Sequence, residues 1–271
     1  MSNTSIDHYE NFPVASALLP ARLRRPIALI YRFARESDDF ADEGDLPDAE
    51  RLARLATFSR ELERIERGEP PGVPWFADLA QIIREHHLPT GLFHDLLSAF
   101  AQDVTQKRYK DYAQLLDYCR RSANPIGRLL LILYRADTPQ NLQYSDAICS
   151  SLQLINFWQD VAIDWQKNRV YFPLDDMQAH GISESRIAAG DSSGAWPAFM
   201  DFQVRRSREL LYSGKPLGRA LKGRIGLEMR MVIAGGDRIL EKISAVQGDV
   251  FRHRPVLKKP DWLLMLARAL L

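Results

Sequence analysis

The segment Ser151-Leu-Gln-Leu-Ile-Asn-Phe-Trp-Gln-Asp-Val-Ala-Ile-Asp-Trp165 most constrains how this chain folds. On a helix, Leu152, Leu154, Ile155, Phe157, Trp158, Val161 and Ile163 point in most directions. A helix that is apolar nearly all round is a buried helix. Yet Gln153, Asn156, Asp160 and Asp164, at steps of three, four and four, fall on one stripe. Carboxylates on a core helix are costly unless they are paired or bind metal. A stripe of oxygen donors suits Mg²⁺, which takes carboxylates, waters and substrate phosphate. The segment therefore predicts a helical interior with a polar seam.

A second acidic segment runs from Ile30 to Gly44. Tyr31, Arg35, Asp38 and Asp42 follow steps of four, three and four and share one helix face. Asp38 and Asp42 repel each other, and either Arg35 or a divalent ion would offset that repulsion. Taken alone, the segment also reads as a charge run at a solvated helix end. Two Asp-x-x-x-Asp stripes on two helices, however, predict a central cavity with metal bridged on both sides and a diphosphate between. Metal there neutralises a leaving group as charge builds on it. Arg169, just past the second stripe, is placed to hold a phosphate oxygen. The many apolar and aromatic side chains left to line the cavity predict a greasy substrate with a charged head.

The rest of the chain agrees with an all-α architecture. Helical periodicity predicts helices over 21–43, 48–67, 75–86, 90–106, 109–121, 124–135, 140–166, 183–188, 196–213, 217–246 and 260–270. Loops are expected at Pro70–Pro74, Asn168–Asp176 and Gly190–Gly194. No composition shift divides residues 1–271, so one helical-bundle domain is expected. A formal net charge of +1 announces no nucleic-acid partner. Cys119 and Cys149 give neither a disulfide framework nor a metal spacing. No Glu-x-x-His motif supports a di-iron bundle, and the glycines of 214–226 follow no strand that a dinucleotide fingerprint would need. The N-terminus is polar, and no stretch reaches the roughly 20 apolar residues of a membrane helix. A cytoplasmic chain is expected. Its C-terminal segment 260–271 is read as a last helix packed on the core, with a peripheral membrane contact as the other reading.

At four places the chain resembles the squalene/phytoene synthase family: His8 to Pro20, Tyr31 to Glu43, Tyr118 to Gly127, and Gln153 to Pro173. The resemblance implies a bundle of the isoprenoid synthase type around a deep cavity, with Mg²⁺ as cofactor and an isoprenoid diphosphate as substrate. It implies that Asp38, Asp42, Asp160 and Asp164 are the metal–diphosphate aspartates and that Arg35 and Arg169 contact diphosphate. Gln153 and Asn156 would stand beside the second metal cluster. Phe12, Tyr31 and Tyr118 would be cavity walls, with the two tyrosines near the reacting carbons. Tyr118 also reads as a core tyrosine whose hydroxyl is satisfied.

Three positions depart from the family's usual pattern: Glu10, Gln159 and Ile163 stand where relatives often carry Lys, Arg and Glu. Fewer charged groups around the diphosphate favour a reaction of one diphosphate. The N-terminal marker, Ser122–Gly127 and Asn156–Asp160 look most like a bacterial hopanoid-pathway subgroup. That likeness implies conversion of presqualene diphosphate to hydroxysqualene by ionisation, rearrangement and water capture. It also admits a handover to other squalene-pathway enzymes. The alternatives are head-to-head condensation of two prenyl diphosphates and a non-catalytic binding relative; retention of all four aspartates argues against the latter.

Overall fold

The computed structural model describes residues 20–270, so Phe12, Glu10 and the rest of the N-terminal marker lie outside the described residues. The described chain is helical. Among the described residues its one bridge outside the helices is an isolated parallel pair, Arg108 with Val170. The helices are α1 Ala21–Asp42, α2 Asp48–Glu66, α3 Phe76–His86, α4 Thr90–Thr105, α5 Tyr112–Ser122, α6 Asn124–Tyr134, α7 Pro139–Gln159, α8 Val161–Gln166, α9 Leu174–Ala179, α10 Glu184–Ala188, α11 Trp196–Ser213, α12 Leu217–Ala220, α13 Gly223–Ala245 and α14 Lys259–Leu270. None is long and apolar enough to cross a membrane.

Local chemistry sets several boundaries. Asp111 accepts a hydrogen bond from the Gln114 amide at 2.8 Å, so α5 starts at Tyr112 rather than at 109. Thr138 caps α7 through the Asn141 amide at 3.2 Å, with Pro139 in the first turn. Two expected helices are each divided. The 140–166 segment breaks at Asp160, where φ is −103° and ψ is 14°. The amides of Asp160 and Asp164 still donate to the carbonyls of Asn156 and Asp160, so the polar stripe keeps its register across the break. The 217–246 segment breaks at Leu221 and Lys222, whose extended ψ values of 135° and 156° precede Gly223 at φ +61°. Glycine takes that left-handed conformation without steric cost. The expected loop from Asn168 to Asp176 ends early, because α9 begins at Leu174 behind Pro173.

Two hydrophobic clusters form the interior. The first is built mainly from α1–α4 and centres on Phe33, Phe58, Phe76 and Phe93, with Phe33 meeting Phe93 edge-on at 5.1 Å. The second gathers α5, α7, α11 and α13 around Trp158, which stacks on Phe172 at 4.7 Å and donates its indole N–H to Ser207 Oγ at 2.8 Å. Helix α6 touches both sides, packing on α1 and α4 and on α5 and α7. Gly127 permits its close approach to α7, since a Cβ there would collide with Ser145 and Cys149. Between α1 and α7 the two clusters leave a cavity.

Candidate active site

That cavity measures about 460 Å³. Its walls are Ile27, Tyr31, Ala34, Arg35 and Asp38 of α1, Phe100 of α4, Tyr118 of α5, Ile126, Gly127, Leu130, Leu131 and Tyr134 of α6, Ser145, Ile148, Cys149, Leu152, Gln153 and Asn156 of α7, and Met229 and Val232 of α13. Ser122, Ala123, Asp160, Glu228 and Arg254 complete the lining. The strongest charges on the two facing helices lie on their last turns, and the apolar side chains lie on the turns before. From Asp160 back to Ser145 the wall along α7 extends about 22 Å at helical rise. One end of the cavity therefore carries Asp38 and Asp160, and the remainder is mostly apolar apart from Glu228 of α13, whose charge acts on Tyr134.

The structure separates the sequence-derived site residues into two sets. Tyr31, Arg35, Asp38, Tyr118, Gln153, Asn156 and Asp160 line the cavity. Asp42, Asp164 and Arg169 stand behind that lining. Arg169 is buried and pairs with Asp42 at 2.5 Å, and Lys167 reaches the same carboxylate at 3.1 Å. In this state Arg169 holds a carboxylate of the other acidic helix, where the sequence reading placed a phosphate oxygen. The loop that carries it is pinned to the α4–α5 connection. The Val170 amide donates to the Lys107 carbonyl at 3.0 Å, and Arg108 donates to the Asn168 carbonyl at 2.6 Å.

The electrostatics follow from this packing. Burial first, then the nearby charges of Asp42 and Asp103, push the Asp38 carboxyl up to about 7. Arg35 opposes this from 3.9 Å, its shorter contact of 2.8 Å being with Asp39. Burial works to raise Asp42 as well, but the hydrogen bond and charge of Arg169 outweigh it and hold Asp42 below the usual range. Asp164 is driven well above it by burial and by Asp160. Among the described residues no three carboxylate, imidazole or thiol groups are gathered closely enough to hold one metal ion as they stand. The donor chemistry nevertheless fits Mg²⁺: Asp38 and Asp160 offer carboxylate oxygens to the cavity from opposite helices, and the crowding that raises Asp38 is relieved by positive charge.

Two further positions at or beside the cavity wall, Arg254 and Asp103, escape the sequence reading. Arg254, in the loop between α13 and α14, grips both oxygens of Asp160 at 2.5 and 3.2 Å and lines the cavity. Gln159 turns away from the cavity and donates to the Pro255 carbonyl at 2.6 Å. The loop that Gln159 holds through Pro255 thus brings the guanidinium of Arg254 onto Asp160. No local pattern marks Arg254. Asp103 did carry a signal: it continues the apolar face of α4 set by Leu96 and Phe100, and it is buried. Its carboxylate accepts from the Tyr118 hydroxyl and from the Tyr171 hydroxyl, the latter at 3.2 Å. Burial pushes Asp103 up to about 6 against the lowering by Arg169 and Tyr118. Burial and the Asp103 charge in turn raise the Tyr118 phenol well above its ordinary value.

The family described as squalene/phytoene synthase matches residues 7–261 of this chain. A hydroxysqualene synthase of Rhodopseudomonas palustris is 37% identical over 94% of this chain and 86% of its own length. A hydroxysqualene synthase of Zymomonas mobilis is 34% identical over 92% and 82%. Among solved structures, squalene synthase HpnC from Alicyclobacillus acidocaldarius superposes with a TM-score of 0.82 at 32% identity, covering 89% of this chain and 90% of the other.

Proposed function

Because the chain belongs to the squalene/phytoene synthase family, we propose that it is the member type that converts presqualene diphosphate to hydroxysqualene and diphosphate. The observation that carries the reading is a cavity of about 460 Å³ that joins Asp38 and Asp160 to a long, mostly apolar wall. The likeness to two hydroxysqualene synthases at 34–37% identity supports the choice of reaction.

Asp38 and Asp160 would hold Mg²⁺ at the cavity, with Asp42 and Asp164 behind them. The ion supplies positive charge to the departing diphosphate. Arg35 and Arg254 stand on the same end, where their guanidinium groups can take diphosphate oxygens. The apolar walls from α6 and α7 hold the hydrocarbon and keep bulk water from the carbocation. Tyr31, Tyr118, Phe100 and Tyr134 offer aromatic faces, which attract a cation over the ring. The Tyr118 hydroxyl is committed to Asp103, which fixes that ring in the wall. Rearrangement with opening of the cyclopropane ring, then capture of the resulting cation by water with its proton released to diphosphate or solvent, would give an acyclic alcohol without a reductant.

The test is incubation of the purified chain with presqualene diphosphate and Mg²⁺ in labelled water, with mass spectrometry of the products. The expected product is hydroxysqualene carrying the label, formed only when divalent metal is present. Efficient condensation of farnesyl diphosphate, with presqualene diphosphate left unchanged, would replace this reading by the head-to-head transferase reading.

A further inference from the structure

The corner between α5 and α6 is held by residues with visible tasks. Ala123 alone separates the two helices, at φ −120° and ψ −46°. Asn124 accepts a hydrogen bond from Ser150 Oγ of α7 at 2.9 Å, and the missing side chain of Gly127 lets α6 sit against Ser145 and Cys149. Both contacts fix the corner to α7. Ser122, the last residue of α5, makes no such contact. Its Oγ is shut off from solvent in this state and meets no hydrogen-bond partner. The usual recourse of a serine in a helix, a bond back to the carbonyl of the preceding turn, is not taken.

Ser122 belongs to the cavity wall, with Ala123, Ile126 and Gly127 beside it. It follows Tyr118 by four residues, so the two share a face of α5 with Cβ atoms about 6 Å apart. The hydroxyls nearby are engaged: Tyr118 donates to Asp103, and Ser145 Oγ meets Cys149 Sγ at 4.0 Å. Leaving a buried hydroxyl without a partner is unfavourable. A turn about χ1 costs Ser122 no hydrogen bond, and in a rotamer aimed at the cavity its Oγ can take a partner there. Ala123, Ile126 and Gly127 bring no polar side chain, so the partner is a molecule held in the cavity. Helix α5 ends at Ser122, and the last carbonyls of a helix lack intrahelical donors, so the corner offers a water a second acceptor.

We propose that Ser122 positions the water that captures the carbocation, and that its hydroxyl decides between an alcohol and a hydrocarbon product. This assignment rests on the functional reading above. A water that gives one O–H to Ser122 Oγ and the other to a carbonyl of the last turn of α5 keeps its lone pairs toward the cavity. The Tyr118 ring, one turn back on the same face, attracts the cation, so cation and water meet there. The new C–O bond takes both its electrons from the water oxygen. One O–H bond breaks, and its proton passes to the departed diphosphate. Where no water is held, the cation instead loses a proton from a neighbouring carbon to the same diphosphate, and a hydrocarbon results. The mostly apolar wall keeps bulk water away, which makes the held molecule the nucleophile.

The experiment gives presqualene diphosphate and Mg²⁺ to the full chain, to Ser122→Ala and to Ser122→Thr, and scores the ratio of hydroxysqualene to hydrocarbon by mass spectrometry. That ratio does not depend on how much enzyme is folded, so a merely structural role leaves it unmoved. Ser122→Ala is expected to lower it about tenfold, the factor that one hydrogen bond supports. Ser122→Thr keeps the hydroxyl and is expected to return the ratio toward the wild-type value. Ser122→Val has nearly the shape of Ser122→Thr without the hydroxyl, and it repeats the comparison if the alanine variant does not fold. The proposal is overturned if the variants without the hydroxyl keep the wild-type ratio, or if they match Ser122→Thr. It is also overturned if Ser122→Ala melts like the wild type but releases no diphosphate, since the serine then acts before capture. A wild type that gives no hydroxysqualene at all ends the functional reading and this assignment with it, an outcome told apart from the others because it needs no substitution.

Discussion

Arg169 Nη2 lies 2.5 Å from Asp42 Oδ1, so the loop after the second acidic helix neutralises the last carboxylate of the first. This ion pair, with Lys167 beside it, spans the two hydrophobic clusters at the acidic end of the cavity. It ties the two acidic segments directly, beside the packing of α6 on both sides and the hydrogen bonds that pin the Arg169 loop to the α4–α5 connection.

Arg169→Met leaves Asp42 largely enclosed with only Lys167 to face it. Breaking a buried pair from one side costs about 3–5 kcal/mol. Urea unfolding is expected to show a loss of that order. Asp42→Asn combined with Arg169→Met should lose less than the sum of the single variants, with a coupling of about 1–3 kcal/mol. Strict additivity would mean that the pair does not hold the halves together.

Asp160→Asn keeps the shape of the side chain and removes its charge. Loss of electrostatic stabilisation at a departing diphosphate is expected to lower kcat by about two to three powers of ten. Arg254→Met removes the guanidinium that grips Asp160, and its effect should fall on the same step. Applied to the Asp160→Asn background it should add little further loss. Wild-type turnover in both variants would remove this end of the cavity from the reaction.

The ion-free protein should have a pH-dependent melting temperature set in part by Asp38. Its carboxyl is raised from 3.8 to about 7, so between those values the folded chain binds more protons than the unfolded chain. Stability contributed by the protonated form is complete below the unfolded value and is lost as pH rises through the folded one. Asp38→Asn should flatten this decline, matching the wild type at the acid end and exceeding it above about pH 7. Adding Mg²⁺ should raise the wild-type melting temperature by mass action and raise the variant's by less. Identical pH profiles for the two proteins would show that Asp38 does not carry the shift.

Asp103 holds two tyrosine hydroxyls inside the protein. Asp103→Leu leaves both without an acceptor, and each stranded buried group costs about 1–3 kcal/mol. Asp103→Asn keeps an acceptor oxygen and should be much milder. Tyr118→Phe in the Asp103→Leu background should recover part of the lost stability. Equal melting temperatures for Asp103→Leu and Asp103→Asn would show that the hydroxyls find other partners.

The helices and the two acidic stripes were readable because they repeat with the helix period over several turns. Asp160 shows the limit of that signal. The stripe passes through it unbroken in sequence, yet the helix stops there for one residue, because the side-chain pattern does not record a local change in ψ. Arg254 shows another limit. It meets Asp160 across 94 residues, and only the packing of the loop between α13 and α14 brings the two together. Arg169 was legible as a cation near the site but not as the partner of Asp42, since sequence spacing says nothing of which distant carboxylate a loop residue will meet. Phe12 and Glu10 remain expectations of the sequence.

The division of the interior into two clusters has a consequence for synthesis. Helices α1–α4 are contiguous in the chain, so most of their phenylalanine core can assemble while α7 is still unmade. At that stage Asp42 lacks Lys167 and Arg169, the former 125 residues away, while Arg35 of the same helix already faces Asp38 and Asp39. The nascent half therefore presents Asp42 uncompensated, with Asp38 and Asp39 sharing the one cation Arg35, along the edge of its unfinished apolar face. Like charges there oppose premature association between growing chains, until the arrival of Lys167 and Arg169 converts the repulsive edge into the seam of the finished cavity.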